Sequence, residues 1–490
     1  MYSRHALLLG ALSYSFDAVG ARSSLADLAT QLASIHWSST ATTVEYPDSL
    51  AFVDATERWT IFKPPSYGIA ITPGNEQDAA QAMLIAKSVN SPFLATGGRH
   101  GYSTTFGGVD QGLAIDLSLL NEVQVDSSKM TLTVGGGVLF KQIFDPIYGA
   151  GFEIQTGSCD CPGMVGVTIG GGIGRYQGLH SLLIDALLSV RMITANGTII
   201  TVSKTSYPDL FWAIKGAGAN FGIVTAATYK LKTQTNQGVA MSTDLIFPAN
   251  ASQEYFNILS SLQGNMPKEL SVITVMNYDA ATSQPQILAN WVFVGPESQG
   301  DEVLAPVLAL NPSFANTSTI PWNKIVTTAG FGLNAVFCVP NITRSTYSAT
   351  LRNLSASTWQ SVFDSMITFW EANPAGQSST VEIEVFPNQE TLAVPESDAV
   401  YPYRDAWGHI MLQMQWQDPS VAAASNALGN QLRRTVAATS GYDGLAVYVN
   451  YAHGDETPAQ VYGVSKLPRL RALKETWDPS NIFRYSTSLT

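Results

Sequence analysis

The 490-residue chain exceeds what one hydrophobic core usually supports, so two domains are expected. At 45% hydrophobic and 13% charged residues it reads as compact and globular, which excludes a disordered chain. A net charge of −12 argues against a nucleic-acid or anionic-membrane partner, and no apolar run reaches the ~18 residues of a spanning helix.

The first residues, Met1 to Arg4, precede an apolar run over 6–12 and then Val19-Gly20-Ala21, the order of a secretory signal over residues 1–21. Asp17 departs from that pattern, and a helical or disordered N-terminus is the alternative. Five Asn-x-Ser/Thr sites, at Asn196, Asn250, Asn316, Asn341 and Asn353, are compatible with secretion. Residues 68–71 read as a strand, 75–88 as a helix capped by Asn75, and 92–96 as a strand, which opens an α/β unit. Strands are expected at 113–117, 122–125 and 130–134, and a helix at 139–148 that Pro146 would trim. Asn196-Gly197 between two alternating runs over 189–202 signals a type I′ hairpin. A helix over 207–215 leads through a glycine-rich turn into a strand ending near Leu231.

Beyond Lys232 the glycine density falls. Strands are expected at 270–277, 287–294 and 381–386, with helices at 253–262, 357–372 and 421–438, a separate α+β domain of long strands with helices on one side. The run 408–416 alternates, with His409, Met411, Gln413 and Gln415 on one face and Ile410, Leu412, Met414 and Trp416 on the other. On the residues alone it reads as an ordinary half-exposed strand. Glu382 and Glu384 alternate likewise and read as solvated charges.

Two glycine-rich turns hold the chemistry. Gly97-Gly98-Arg99-His100-Gly101-Tyr102 follows the strand ending at Thr96, and Gly170-Gly171-Gly172-Ile173-Gly174 closes the stretch. Such turns let backbone approach a guest where any Cβ would clash, and their N–H groups suit a diphosphate. Between them lies Gly157-Ser158-Cys159-Asp160-Cys161-Pro162. Three cysteines do not make a disulfide framework, and Cys159 and Cys161 are too close for an easy bridge, so a thiol with a specific job is one reading and inert buried cysteine the other.

These runs resemble the berberine-bridge-enzyme-like branch of the FAD-linked oxidases. The matching motifs are the loop Gly97 to Tyr102, Cys159 to Gly163, Gly170 to Gly174, Trp212-Ala213-Ile214-Lys215-Gly216 with Asn220 to Val224, Tyr448-Val449-Asn450-Tyr451, and Asp478-Pro479-x-Asn481-x-Phe483-Arg484. Ordered motifs of this number are far more specific than one glycine pattern. The resemblance implies a two-domain α+β fold of the PCMH type. Residues 60–235 would bind FAD, 236–440 would form a substrate domain on an antiparallel sheet backed by helices, and 441–490 would return to the first domain. It implies cofactor contacts at Thr96, Gly97, Gly98, Arg99, Gly101, Tyr102, Gly157, Ser158, Gly163, Gly171, Gly172, Gly174, Gly222, Ile223, Val224 and Asn481, and no metal.

In that family the loop histidine carries the flavin, which implies attachment at His100. A second link, through cysteine, occurs in some members; an ungapped count back from Gly170 puts it on Cys159, whereas Cys161-Pro162 fits only with a two-residue shift. The alternative is a single link with two structural thiols. The family's tyrosine beside the flavin falls on Tyr451, and a phenol must leave its usual pKa of ~10 to serve as a base. A second tyrosine expected six residues beyond the glycine run is His180 here, either a base, given an ordinary pKa of ~6.5, or a structural histidine. Gln413 and His409 would face substrate. The function implied is an oxidase that takes hydride from a small organic substrate, in the manner of secondary metabolism, and passes electrons to O2. A carbohydrate oxidase, with Trp359, Trp370 or Trp407 as sugar platforms, and a flavin-assisted cyclase are the alternatives.

Overall fold

The structure, a computed structural model, describes residues 25–489; the signal-like segment 1–21 lies outside them. The first domain opens with β1 (Thr43–Glu45), β2 (Tyr67–Thr72), β3 (Phe93–Thr96) and β4 (Gly112–Asp116), in the order β1-β2-β4-β3. Strands β2 and β3 run parallel to β4. Parallel pairing requires a crossover, which α1 (Glu76–Ser88) supplies. Its N-cap Asn75 accepts from the Asp78 N–H at 2.8 Å, and Ala79, Ala82 and Met83 pack on Ile69, Ile71, Leu113 and Ile115. The Gly97–Tyr102 loop therefore leaves the carboxyl end of a parallel strand, where open α/β sheets bind ligands.

A second, antiparallel sheet follows: β5 (Val123–Asp126), β6 (Thr131–Gly135), β8 (Leu187–Ile193), β9 (Ile199–Ser203) and β10 (Ile223–Lys230), in the order β5-β6-β10-β8-β9. The short β7 (Phe152–Glu153) pairs with β11 (Lys232–Thr233). Helix α2 (Pro208–Ala217) buries Leu210, Phe211 and Ile214 against this sheet. The hairpin of β8 and β9 is looser than a type I′ turn. Its loop spans residues 194–198, and only Gly197, not Asn196, takes a positive φ, of 83°. The helix expected over 139–148 is split into a 3-10 turn, Phe140–Gln142, and a helix, Phe144–Gly149. Pro146 falls in the first turn of that helix, where its missing N–H has no partner to lose.

The second domain is a seven-stranded antiparallel sheet. Its strands are β12 (Val239–Pro248), β13 (Leu270–Asp279), β14 (Gln284–Phe293), β15 (Phe314–Pro321), β16 (Thr343–Leu351), β17 (Thr380–Val385) and β18 (Gly408–Trp416), in the order β15-β12-β14-β13-β17-β18-β16. Helices α3 (Ser252–Ser261), α4 (Glu297–Leu308), α5 (Ala356–Ala372) and α6 (Ala422–Ala437) accompany it. Ile383, Ile410, Leu412 and Met414 pack with Phe256, Trp359, Phe363, Trp370 and Leu432 into one helix-backed core. Strand alternation then commits Glu382, Glu384, Met411 and Gln413 to the opposite face.

The chain closes with α7 (Leu467–Trp477), which returns to α2, Arg469 lying over the Trp212 ring at 4.0 Å. The buried Lys474 ammonium donates to Asn220 O at 2.8 Å, Asp478 Oδ2 at 2.7 Å and Phe483 O at 3.0 Å. This knot fixes the tail against the first domain.

Candidate active site

Between the two domains lies a cavity of about 370 Å3. Its floor is the Thr96–Tyr102 loop, residues 157–159, 162–163, 165–167, 169–170 and 216–219, and the Gly222–Val224 start of β10; its roof is Glu382, Glu384, Met411 and Gln413, and Tyr448 to Ala452 and Ile482 to Thr487 close the sides. Glycine is required where the floor loops meet: a Cβ on Gly98 would sit 2.2 Å from the Gly163 backbone nitrogen. Arg99 takes a positive φ of 52° and ties its guanidinium to Asp116 at 2.7 Å, which holds the loop open.

The structure departs from the expected contacts in two places. Of the 170–174 run, Gly170 and Ile173 line the cavity, whereas Gly171, Gly172 and Gly174 do not. Those three serve close packing: a Cβ on Gly172 would meet Leu183 Cβ at 2.4 Å, and one on Gly174 the Thr156 carbonyl at 2.0 Å. Asn481 also lies off the lining; with φ of 48° it forms the turn that delivers Ile482, Phe483 and Arg484 to it.

His100 lines the cavity, and its Nε2 is buried without a hydrogen-bond partner. The imidazole stacks on Trp59 with centroids 4.7 Å apart and planes at 23°. Burial, then the charges of Arg344 and Arg58, lower its pKa to about 3, so the ring is neutral with an available lone pair. Cys159 also lines the cavity as a free thiol. Cys161 is joined instead to Cys338, across 177 residues. The cysteine reading is thus corrected: one bridge exists, between the domains, where local spacing could not show it. Burial, then the nearby carboxylates of Glu382, Glu384 and Asp160, push the Cys159 thiol up, so it is protonated.

Tyr451 donates its hydroxyl to Glu384 Oε2 at 2.8 Å, and Ser158 donates to Glu384 Oε1 at 2.9 Å. Glu384 therefore ties roof, floor and C-terminal segment together. Neither Glu382 nor Glu384 is a solvated charge; they are 8% and 1% exposed. Burial raises both pKa values, and the neighbouring Glu384 helps lift Glu382 to about 8, while Arg175 opposes each shift. The Tyr451 phenol is driven well above its ordinary value by burial and then by these carboxylates. At neutral pH it is a hydrogen-bond donor, not a phenolate.

Gln413 lines the cavity with Glu382; across the β17–β18 pair Gln413 faces Thr380, and Glu382 faces Met411. His409 does not line it; buried, with its pKa at about 3, it bonds Thr350 Oγ1 through Nδ1 at 3.3 Å. His180 likewise stands outside. Its Nε2 meets Glu153 Oε1 at 2.7 Å, on β7, and the same oxygen accepts from Thr235 at 2.6 Å. It is a structural histidine. Beyond Tyr451, the His453 ring stacks on Tyr347 at 4.1 Å and Asp455 is held by Arg433 at 2.6 Å, so neither reaches the cavity. Trp359 and Trp370 belong to the helix-backed core and Trp407 packs against it, so none is a sugar platform. Trp59 is a lining group that neither strand alternation nor the glycine motifs singled out; alternation placed Glu384 and Met411 on the faces of their strands away from the core but did not mark them as site groups.

A glycine-floored cleft whose roof is an antiparallel sheet, with an unpartnered histidine nitrogen beneath, suits a phosphate-bearing cofactor, and the family match identifies the class as a flavoenzyme. A family model described as an FAD binding domain matches residues 68–203, and one described as berberine and berberine like matches 447–490. The chain is 46% identical over 454 residues to the FAD-linked oxidoreductase srdI of Neurospora crassa, covering 92% of this chain and 90% of that one. It is 45% identical over 460 residues to the FAD-linked oxidoreductase fogF of Aspergillus ruber, covering 93% and 92%. Among solved structures, BBE-like 1 of Physcomitrella patens superposes with a TM-score of 0.81 at 20% identity, covering 96% and 99%. The chain belongs to the berberine-bridge-enzyme-like family of FAD-linked oxidoreductases. The site fits FAD: the Gly98–Gly163 contact leaves backbone as its floor, and His100 offers an unpartnered buried nitrogen.

Proposed function

We propose that the chain is a secreted oxidase that removes hydride from a small organic molecule, an intermediate of secondary metabolism, and passes the electrons to dioxygen to give hydrogen peroxide. FAD supplies the two-electron acceptor between them. His100 holds it covalently, the neutral ring offering its free nitrogen, and Cys159 is the residue for any second link because Cys161 is committed to Cys338. The observation that carries the catalytic reading is the Tyr451–Glu384 hydrogen bond on the cavity wall. A phenol that donates to a carboxylate can take a substrate proton only by passing its own onward, so Glu384 is the terminal acceptor and Tyr451 the relay. Glu382 and Gln413 make no side-chain hydrogen bond among the described residues and open on the same space, so they orient polar groups of the substrate. The absence of the three tryptophans from the lining favours a compact substrate over an oligosaccharide.

Two features support secretion. The asparagines of all five glycosylation sites are exposed, and a disulfide persists in an oxidising compartment. The reading is tested on acid-precipitated, denatured protein and with an oxygen electrode. Yellow colour remaining in the pellet and oxygen uptake on adding substrate support it; flavin wholly in the supernatant refutes the His100 link, and flavin reduction without oxygen uptake refutes the oxidase.

A further inference from the structure

Among the described residues the His100 ring has a single aromatic neighbour of short contact, and that neighbour is governed from the other domain. Trp59 stacks on it at 4.7 Å, and the indole Nε1 donates to the Phe337 carbonyl at 2.6 Å. The Arg344 guanidinium lies 4.3 Å from the Trp59 ring centroid and donates to the Trp59 carbonyl at 2.6 Å and the Val339 carbonyl at 2.9 Å. Backbone bonds lace the same two stretches: Asn341 N to Arg58 O at 2.8 Å and Ile61 N to Ile342 O at 3.1 Å. Residues 337–344 thus form a strap leading into β16, and Cys338 fastens it to Cys161 in the floor loop.

We propose that Trp59 is the positioning residue that orients His100 toward the flavin, and that the strap, fastened by the Cys161–Cys338 bond, holds Trp59 in place. The inference rests on the reading of His100 as the attachment residue. An imidazole whose Nε2 has no hydrogen-bond partner owes its orientation largely to packing, and an offset aromatic stack is a directional form of packing. Burial first keeps the ring neutral, and Arg344, drawn in by the indole, and Arg58, whose Nη2 donates to Gly101 O at 2.6 Å, add to that by disfavouring a charged ring. Loss of the indole would free the ring to rotate and loosen the strap together. It follows that docking of the substrate domain and closure of the disulfide both favour the orientation of His100 that attachment needs.

The test is the rate at which added FAD becomes acid-stable on the proteolytic peptide carrying His100, read by mass, in wild type, Trp59→Leu, Trp59→Phe and Cys338→Ser. Bound but unattached FAD is measured on the same samples by gel filtration, a quantity that general unfolding would abolish. Attachment at least tenfold slower in Trp59→Leu with FAD still bound, several-fold slower in Cys338→Ser, and largely rescued by Trp59→Phe, supports the inference. Attachment at the wild-type rate in Trp59→Leu overturns it. Should Trp59→Leu fail to fold, Arg344→Met decides: a wild-type rate there overturns the inference and a slowed one with FAD bound supports it. A wild-type His100 peptide free of flavin refutes the underlying assignment instead, which keeps the two failures apart.

Discussion

Replacing Glu384 with glutamine tests the proton route most directly, because volume is kept and only charge and proton affinity are lost. Two hydroxyl groups donate to this side chain, from Tyr451 at 2.8 Å and Ser158 at 2.9 Å. The carboxamide oxygen can accept one of them, while the other hydroxyl must turn to accept from the amide N–H, a rearrangement costing about 1 kcal/mol. Against that, a buried carboxylate whose charged form burial disfavours is removed, so net stability should change little. The loss of a terminal proton acceptor is larger, on the order of 10²–10⁴ in rate, or about 3–5 kcal/mol in the barrier. Anaerobic stopped-flow reduction of the flavin by substrate isolates that step. The rate constant should fall by this factor while the substrate concentration for half-saturation moves little. The pH profile adds a signature. Glu384 accepts a proton only when ionised, and burial raises its pKa, so wild-type reduction should accelerate as pH rises through a value above the usual carboxylate range. Glu384→Gln should lose that acceleration. A variant within threefold of wild type, with the acceleration intact, would show that the proton leaves by another path.

Four further outcomes are expected. Gly98→Ala forces a Cβ to 2.2 Å from the Gly163 nitrogen, and because backbone lies on both sides the floor must spread; FAD should fail to stay bound on gel filtration of folded protein. Asp478→Ala leaves the buried Lys474 ammonium without its carboxylate partner and should lower stability by roughly 3–5 kcal/mol in denaturant titrations, releasing the Ile482–Thr487 wall. Glu382, with its folded pKa raised to about 8, binds a proton in the native chain over a range where an unfolded glutamate has lost it. Its contribution is present below the unfolded value of ~4.3 and is lost as pH rises toward 8, at most roughly 1 kcal/mol per pH unit, and Glu382→Gln should remove that slope. His180→Ala removes one of the two groups bonded to Oε1 of the fully buried Glu153, the other being the Thr235 hydroxyl, and should cost roughly 1–3 kcal/mol of stability while leaving the rate of flavin reduction unchanged.

The parts of the fold legible in the sequence were those written in short-range chemistry. Asn75 before a run of helix formers marked α1, and strict alternation marked β18 over the very residues 408–416 that form it. Strands β12, β15 and β16 went unmarked for a physical reason. Strand β16 reads Thr-Arg-Ser-Thr-Tyr-Ser-Ala-Thr-Leu and is buried over nearly its whole length, because the helix-backed core lies on one face and the C-terminal segment on the other; Ser348 donates to the Tyr451 carbonyl at 2.6 Å. Hydroxyl side chains satisfied in this way leave no apolar period to read. Glu382 and Glu384 show the converse. Alternation assigned them correctly to the face away from the core, but period two cannot tell open water from the wall of a cavity.

Cys159 and His180 were both placed by counting from the same glycine run, yet only one reaches the cavity, and the backbone explains the difference. Residues 157 to 170 return to the floor again and again, at 157–159, 162–163, 165–167 and 169–170, so a count within them keeps its meaning. At Gly174 the chain passes so close to the Thr156 carbonyl that a Cβ would fall 2.0 Å from it, and Tyr176 N is then drawn to Gln155 Oε1 at 2.8 Å. The following turn is thereby pulled toward β7, and His180 ends on Glu153 rather than on Tyr451. The carboxyl group that meets Tyr451 comes instead from β17, held in the sheet by its pairing with β18 and with the much earlier β13. Cofactor cradle and proton route therefore have different origins: the first is local and motif-borne, the second exists only once the substrate domain has folded over it. Substrate preference should accordingly track substitutions at Glu382, Met411 and Gln413, whose side chains vary without disturbing a single glycine of the floor.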